Sequence, residues 1–211
     1  MRSFLALGFT LWSLFGHGVG HAANPIPSAP SSYVYDEGKV FSQKAKAAVQ
    51  GLLAAQDHRT SEQIIIAGFE SLDGEDLVAR TNSIFQAWKI GKREKDNGVL
   101  LAFYWKERKV RIEVGYGLEA LLTDAKAKRV ISEFIIPYLK QNEPDQALVA
   151  SSLAILKTLN SPLIESGEAD KILKAGGYHG YSHFRANAQK AWAVWVFLGV
   201  IILIQIGRAH V

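Results

Sequence analysis

Two uninterrupted apolar runs, Ile64-Ile65-Ile66-Ala67 and Val99-Leu100-Leu101-Ala102-Phe103-Tyr104, constrain the fold of this chain more than any other feature. Both have strand length and lack the polar alternation of a strand with one wet face, so they read as strands covered on both sides. A sheet buried on both faces needs helices on both faces. The flanking segments supply them. Val40–His58 carries Ala45, Ala48, Val49 and Leu52 at helical spacing, with Ser42 available as N-cap. A second helix, capped by Asp73 and running through Trp88, sets Leu77, Ile84, Phe85 and Trp88 on one side. Lys106–Lys109 is too short for a crossover, so Val110–Val114 returns antiparallel, with Val110, Ile112 and Val114 inward and Arg111 and Glu113 outward. Asp124–Tyr138, frayed at Pro137, and Asp145–Leu159 read as closing helices. The order helix, strand, helix, strand, strand, helix, helix predicts an α/β fold: a small mixed sheet sandwiched by helices.

The two ends of the 211-residue chain differ from this middle. Met1-Arg2 followed by the apolar stretch Phe4–Phe15, with Gly20 and Ala22 at cleavage spacing, reads as a secretory signal over residues 1–22. A spacer at 23–32 follows, its Pro25, Pro27 and Pro30 favouring extended chain. Residues 160–190, with Gly176-Gly177 and Gly180, read as a flexible tether. Its His179 and His183 stand at HxxxH spacing, but a glycine-rich stretch does not hold them on a helix. The apolar run 191–206, with Trp192 and Trp195 at interfacial positions, reads as a C-terminal transmembrane helix. It falls short of the roughly 20 residues of a full span. Residues 206–211 back-translate to a common sequencing adapter, so the native sequence is expected to continue past Ile204. These features predict a single-pass protein of the inner or plasma membrane, its globular domain on the periplasmic or extracellular side.

Cysteine is absent, which removes thiol catalysis and thiolate metal sites. The net charge of +4 does not point to nucleic acid, because acids and bases are nearly balanced within the globular part and no basic stripe is interleaved with aromatics. Lys92-Arg93-Glu94-Lys95 reads as a solvated loop.

Chemistry is concentrated at acidic loop ends. Asp96-Asn97-Gly98 precedes the second apolar run, Asp36 lies before the first helix, and Asp124 opens a later one. This topology allows the three loops to open at one edge of the sheet. Carboxylates gathered there repel unless a cation neutralises them, and oxygen-only ligands with the Asn97 amide suit Ca²⁺ or Mg²⁺. Each residue also has a plain structural use. Asp36 can open a turn with Gly38, Asp96 can fix the approach to its strand, and Asp124 is favoured at a helix N-terminus by the dipole. Gly115-Tyr116-Gly117 lacks the third glycine of a dinucleotide loop.

Six segments in order carry a family resemblance: Tyr35-Asp36, Gln63-Ile64, Trp88-Lys89-Ile90-Gly91, Asp96 through Leu101, Arg111 through Glu119, and Leu122-Thr123-Asp124. Over residues 33–159 the chain resembles the TPM-domain family. The resemblance implies a Rossmann-like α/β/α sandwich displayed outside a membrane. It also implies a metal site at Asp96 and Asp124, with Asp36 and Asn97 as further ligands. Family members include plant thylakoid-lumen proteins linked to photosystem repair, some described as acid phosphatases, and bacterial proteins that bind calcium. The chain departs from the pattern at Glu37-Gly38, where small residues are usual, and in having no long glycine-rich tail.

Two functions follow as expectations. One is a non-enzymatic, cation-binding module that assembles or maintains membrane protein complexes. The other is a metal-dependent, acid-phosphatase-like phosphomonoesterase, for which no catalytic residue set is identified and Arg111 and Lys92 are the only suggested phosphate ligands.

Overall fold

A computed structural model describes residues 24–178 of the chain. The signal peptide expected at 1–22, the end of the tether, the membrane helix at 191–206 and the adapter-like end at 206–211 lie outside the described residues. Among the described residues, no helix is long and apolar enough to cross a membrane.

The sheet has four strands in the order β1 (Val34–Asp36), β2 (Gln63–Phe69), β3 (Gly98–Tyr104) and β4 (Lys109–Val114). The first three run parallel, and β4 returns antiparallel. The apolar runs behave as their pattern requires. Along β3, Val99, Leu101 and Phe103 enter one core layer, while Leu100, Ala102 and Tyr104 enter the other. Along β2, Ile64 and Ile66 face the first layer, and Ile65, Ala67 and Phe69 the second. A period of two with both faces covered leaves no polar position.

Helices α1 (Gln43–Thr60) and α5 (Pro144–Thr158) build the thicker layer, which buries Leu52, Leu53, Leu148 and Ile155 completely. The Ser42 hydroxyl accepts from Ala45 N and caps α1 as expected. Helix α2 (Leu77–Trp88) covers the other face alone. Its cap is Asp76, which accepts from Val78 N and Ala79 N, while Asp73 occupies a left-handed turn at φ +49. Aromatic rings thicken this thinner layer. Phe69 stacks on Tyr104 at 5.2 Å, and Tyr35 packs edge-on to Trp88 at 5.4 Å. The Tyr104 hydroxyl lies 3.1 Å from that of Thr81, and burial raises the Tyr104 phenol above its ordinary pKa.

Three segments depart from expectation. The strand β1 was not anticipated; its three residues are too few to show a period. The proline-rich stretch after Asn24 is not a free spacer, because Arg80 donates to the carbonyls of Asn24 and Pro25, and Trp88 Nε1 donates to Pro27 O at 2.8 Å. The tether does not begin at Asn160. Helices α6 (Pro162–Glu165) and α7 (Glu168–Ala175) fold back, bury Leu163, Ala169 and Leu173, and dock α7 on α1. Gly176 marks the end of α7 rather than a flexible run, with its Cα side pressed on Ala48.

The helix expected from Asp124 is one helical path in three parts: α3 (Asp124–Val130), a π turn over Ile131–Ile135 and α4 (Ile136–Lys140). Pro137 falls in the first turn of α4, where a missing N–H is tolerated, so the path continues past the proline.

Candidate functional site

The parallel strands give the sheet two unlike edges, and the acidic residues divide between them. Asp36 ends β1 at the edge where β2 and β3 finish, paired in register with Gly68. Asp96 and Asn97 precede β3 at the opposite edge, where Gln63 pairs with Gly98. From Gln63 to Gly68 the sheet extends about 16 Å at the ordinary rise of a strand. Asp36 therefore does not join Asp96, and the expected gathering of three loops at one edge is corrected. The reason is β1: it runs parallel to β2, so its C-terminal residue sits at the far end from the N-terminus of β3.

The Asp36 carboxylate is also fully engaged. It accepts from Val40 N at 3.0 Å, from Phe41 N at 3.2 Å and from Lys46 Nζ at 3.0 Å, with its side chain 2% exposed. Beside it Trp105 stacks on Phe103 at 5.2 Å, and Gly38 and Gly68 press against the indole edge. Among the described residues, the buried Trp105 N–H finds no hydrogen-bond acceptor. Farther along this edge Glu107 receives the Ser71 hydroxyl at 2.7 Å and Leu72 N at 3.0 Å. Burial pushes the Glu107 carboxyl up, but these hydrogen bonds outweigh it and hold the group below its ordinary value of 4.5.

At the opposite edge the backbone is close-packed and the side chains are open. Asn97 is buried, its amide oxygen accepting from Lys92 N at 2.9 Å and its amide nitrogen donating to Ser61 O at 2.7 Å. It holds the loop together, with both ends of its amide bonded to the backbone. Asp96 is held at φ +44, and its carbonyl accepts from Gly117 N at 3.1 Å. A Cβ on Gly117 would meet Lys95 O at 1.9 Å, and one on Gly115 would meet Asp96 O at 2.1 Å. The Gly-Tyr-Gly spacing serves this backbone contact between two loops.

The side chains of these loops line a cleft of about 890 Å³. Lys89, Lys92 and Arg93 border it with Asp96, Glu113 and Glu119, and Tyr116 stands beside them 81% exposed. Among the described residues, the Asp96 carboxylate makes no ion pair or hydrogen bond. The Glu113 carboxylate takes Arg111 Nε at 2.8 Å, which engages the arginine suggested for phosphate. Lys92 reaches Asp57 at 3.7 Å from a half-exposed position. Asp124 is exposed in the first turn of α3, capped by Thr123 rather than by itself, on the segment that follows the Gly115–Leu118 turn. Asp96, Asn97, Asp36 and Asp124 thus do not form a single coordination shell. Among the described residues, no group of three or more His, Asp or Glu is arranged to hold a metal.

Sequence reasoning missed Lys46, the partner of Asp36, although its place one helical turn inside α1 follows from the Ser42 cap. It also missed Tyr33, which donates to Asp57 at 2.8 Å. Burial first, and Asp57 second, push its phenol up to about 12.

Comparison with known proteins agrees with this architecture. No curated protein matches the chain. The N-terminal domain of a protein from P. gingivalis is similar in structure, with 25% identity and a TM-score of 0.55, the match covering 62% of this chain and 85% of that one. The BA42 protein of the psychrophilic bacterium Bizionia argentinensis is 21% identical over 58% of this chain and 85% of its own, with a TM-score of 0.47. The sequence model described as the TPM domain matches residues 34–158, from the start of β1 to the end of α5. This chain belongs to the TPM-domain family.

Proposed function

We propose that this TPM-domain protein is exported, anchored in the inner or plasma membrane, and acts by binding rather than catalysis, in the assembly or maintenance of membrane protein complexes. The observation that carries the proposal is the composition of the cleft. Its lining pairs three cations with three carboxylates around an exposed tyrosine, and contains no Ser, Thr, Cys or His. That is a surface for a polar partner, with tyrosine as an amphipathic anchor. Covalent catalysis by a serine or threonine hydroxyl, a thiol or an imidazole has no group to use there. The apolar run at 191–206 and the signal-like start supply the membrane placement.

Ca²⁺ or Mg²⁺ enters this reading through Asp96 and Asp124 alone, since Asp36 and Asn97 are committed to the fold. A hydrated ion bridging one or two carboxylates asks for no closed cage. Calorimetric titration of the full chain in detergent with each ion tests this part. Heat that vanishes in Asp96→Asn supports it, and no heat in the wild type removes the ion from the reading.

The second reading is the metal-dependent phosphomonoesterase, favoured by Lys89, Lys92 and Arg93 at the mouth of the same cleft. Incubation with a generic phosphate ester and each divalent ion separates the two. Turnover that Asp96→Asn abolishes while the fold persists would replace the binding-module reading with the enzyme.

A further inference from the structure

β4 is an edge strand with a free side. Gly115 N donates to Gly98 O at 2.8 Å, which fixes the phase of the β3–β4 ladder. In an antiparallel pair, hydrogen-bonded and non-hydrogen-bonded positions alternate. Glu113 and Arg111 therefore turn their backbone groups to β3, whereas Val114, Ile112 and Val110 turn theirs outward. Among the described residues, no hydrogen bond reaches these outward groups. An unpaired row of this kind is a template for another strand.

The side chains along the row specify which strand. Val110-Arg111-Ile112-Glu113-Val114 is chemically self-complementary when read against its own reverse. A two-fold axis through Ile112 pairs Val110 with Val114, Ile112 with Ile112, and Arg111 with Glu113 of the second copy. The backbone phase agrees, because the outward residues Val110, Ile112 and Val114 then meet one another as hydrogen-bonded pairs. Arg111 and Glu113 fall opposite each other at the non-hydrogen-bonded positions, where side chains approach more closely. Slipping the axis to Arg111 sets arginine against arginine, and slipping it to Glu113 sets glutamate against glutamate. The Arg111 axis also sets Lys109 against Glu113, so the central register is the one of the three that joins opposite charges without placing like charges on the axis. Arg111 and Glu113 already lie side by side at 2.8 Å within one strand, so two copies would form a four-charge ladder across the axis. The valines that flank it are only half-buried and pack on the thicker core layer.

We infer that two copies of this chain dimerise by antiparallel pairing of their β4 edges about Ile112, making one continuous eight-stranded sheet. The contact shares Glu113 and Val114 with the cleft that Tyr116 lines, so a dimer presents two clefts, one at each end of the new ladder.

The test uses the full chain in detergent micelles, with sedimentation equilibrium as the readout. The wild type is expected to dimerise. Arg111→Glu and Glu113→Arg each place like charges across the axis and should raise the dissociation constant at least about tenfold. An equimolar mixture of the two variants should restore dimers, because each Glu then faces an Arg of the other chain. Neither variant regains its own internal pair in that mixture, so recovery cannot come from repair of the monomer. A second measurement needs no substitution: with rising protein concentration, amide exchange should slow at Val110, Ile112 and Val114 but not at Arg111 and Glu113. A monomeric wild type, a dimer indifferent to both charge reversals, or exchange at Ile112 independent of concentration each overturns the proposal.

Discussion

The two edges of the sheet use charge in opposite ways. Where β1, β2 and β3 end, polar groups are sealed: Asp36 meets two backbone N–H groups and Lys46, and Glu107 meets Ser71 and Leu72. Where β3 begins, the backbone is tight and side chains are open: Asp96, Arg93 and Tyr116 are exposed around a cleft. The contrast separates carboxylates that hold the fold from carboxylates that are available to a ligand. Sequence type does not distinguish them, because both kinds are aspartates at loop ends.

The largest effect that would sharpen this contrast is at Asp36. Asp36→Ala leaves the Lys46 ammonium facing a depleted site and two N–H groups without an acceptor. Because Lys46 is 20% exposed, the loss belongs at the low end for a broken buried pair, about 3 kcal/mol in urea unfolding. A loss below about 1 kcal/mol would break the sealed-edge description. Next comes Gly117→Ala at the open edge, where the added methyl meets the Lys95 carbonyl. Overpacking against backbone should cost about 2–3 kcal/mol by the same measurement, and a neutral result would show that the loops separate readily.

A smaller effect concerns pH. The Glu107 carboxyl is held below 4.5 in the folded state, so it binds a proton more readily when unfolded. Its contribution is present above about pH 4.5 and is lost as pH falls through the lower folded value. The urea midpoint of the wild type should therefore drop more steeply below pH 4.5 than that of Glu107→Gln; parallel curves would break the assignment. The phenol of Tyr33 gives the mirror case. Raised to about 12 by burial and Asp57, it makes stability fall as pH rises from 10 towards 12, and Tyr33→Phe should flatten that limb. The smallest effects are at the cleft: Asp96→Asn and Tyr116→Ala should stay within about 0.5 kcal/mol of wild type. A large destabilisation at either would mean that the open edge is structural too.

Much of the fold was legible because burial on both faces writes an unmistakable run. Ile64–Ala67 and Val99–Tyr104 are strands, Ser42 caps α1, and the short Lys106–Lys109 link forces β4 to return antiparallel. What was illegible depends on partners distant in sequence. Three residues of β1 carry no periodicity, yet their direction decides that Asp36 is remote from Asp96. The docking of α7 rests on Ala169 and Leu173 finding α1, more than a hundred residues earlier, whereas locally the segment looks like a glycine-rich linker. Asp73 and Asp76 are both plausible caps by type, and only the left-handed turn at Asp73 selects the second. At the candidate site, the Asn-Gly context marks the Asp96 loop, but the hydrogen bonds that tie the Asn97 amide to Lys92 and Ser61 depend on the folded loop and on a residue 36 positions away.

The contact of Gly115 and Gly117 with the carbonyls of Asp96 and Lys95 has a mechanical consequence. No side chain lies between the two loops at these glycines to rotate and absorb a displacement, so a shift of one loop presses directly on the backbone of the other. A partner entering the cleft meets a frame that is already set. Adaptation is left to the rotamers of Lys92, Arg93 and Tyr116, and the entropy of ordering the main chain has been met by folding. Specificity at this edge accordingly resides in which side chains the frame carries.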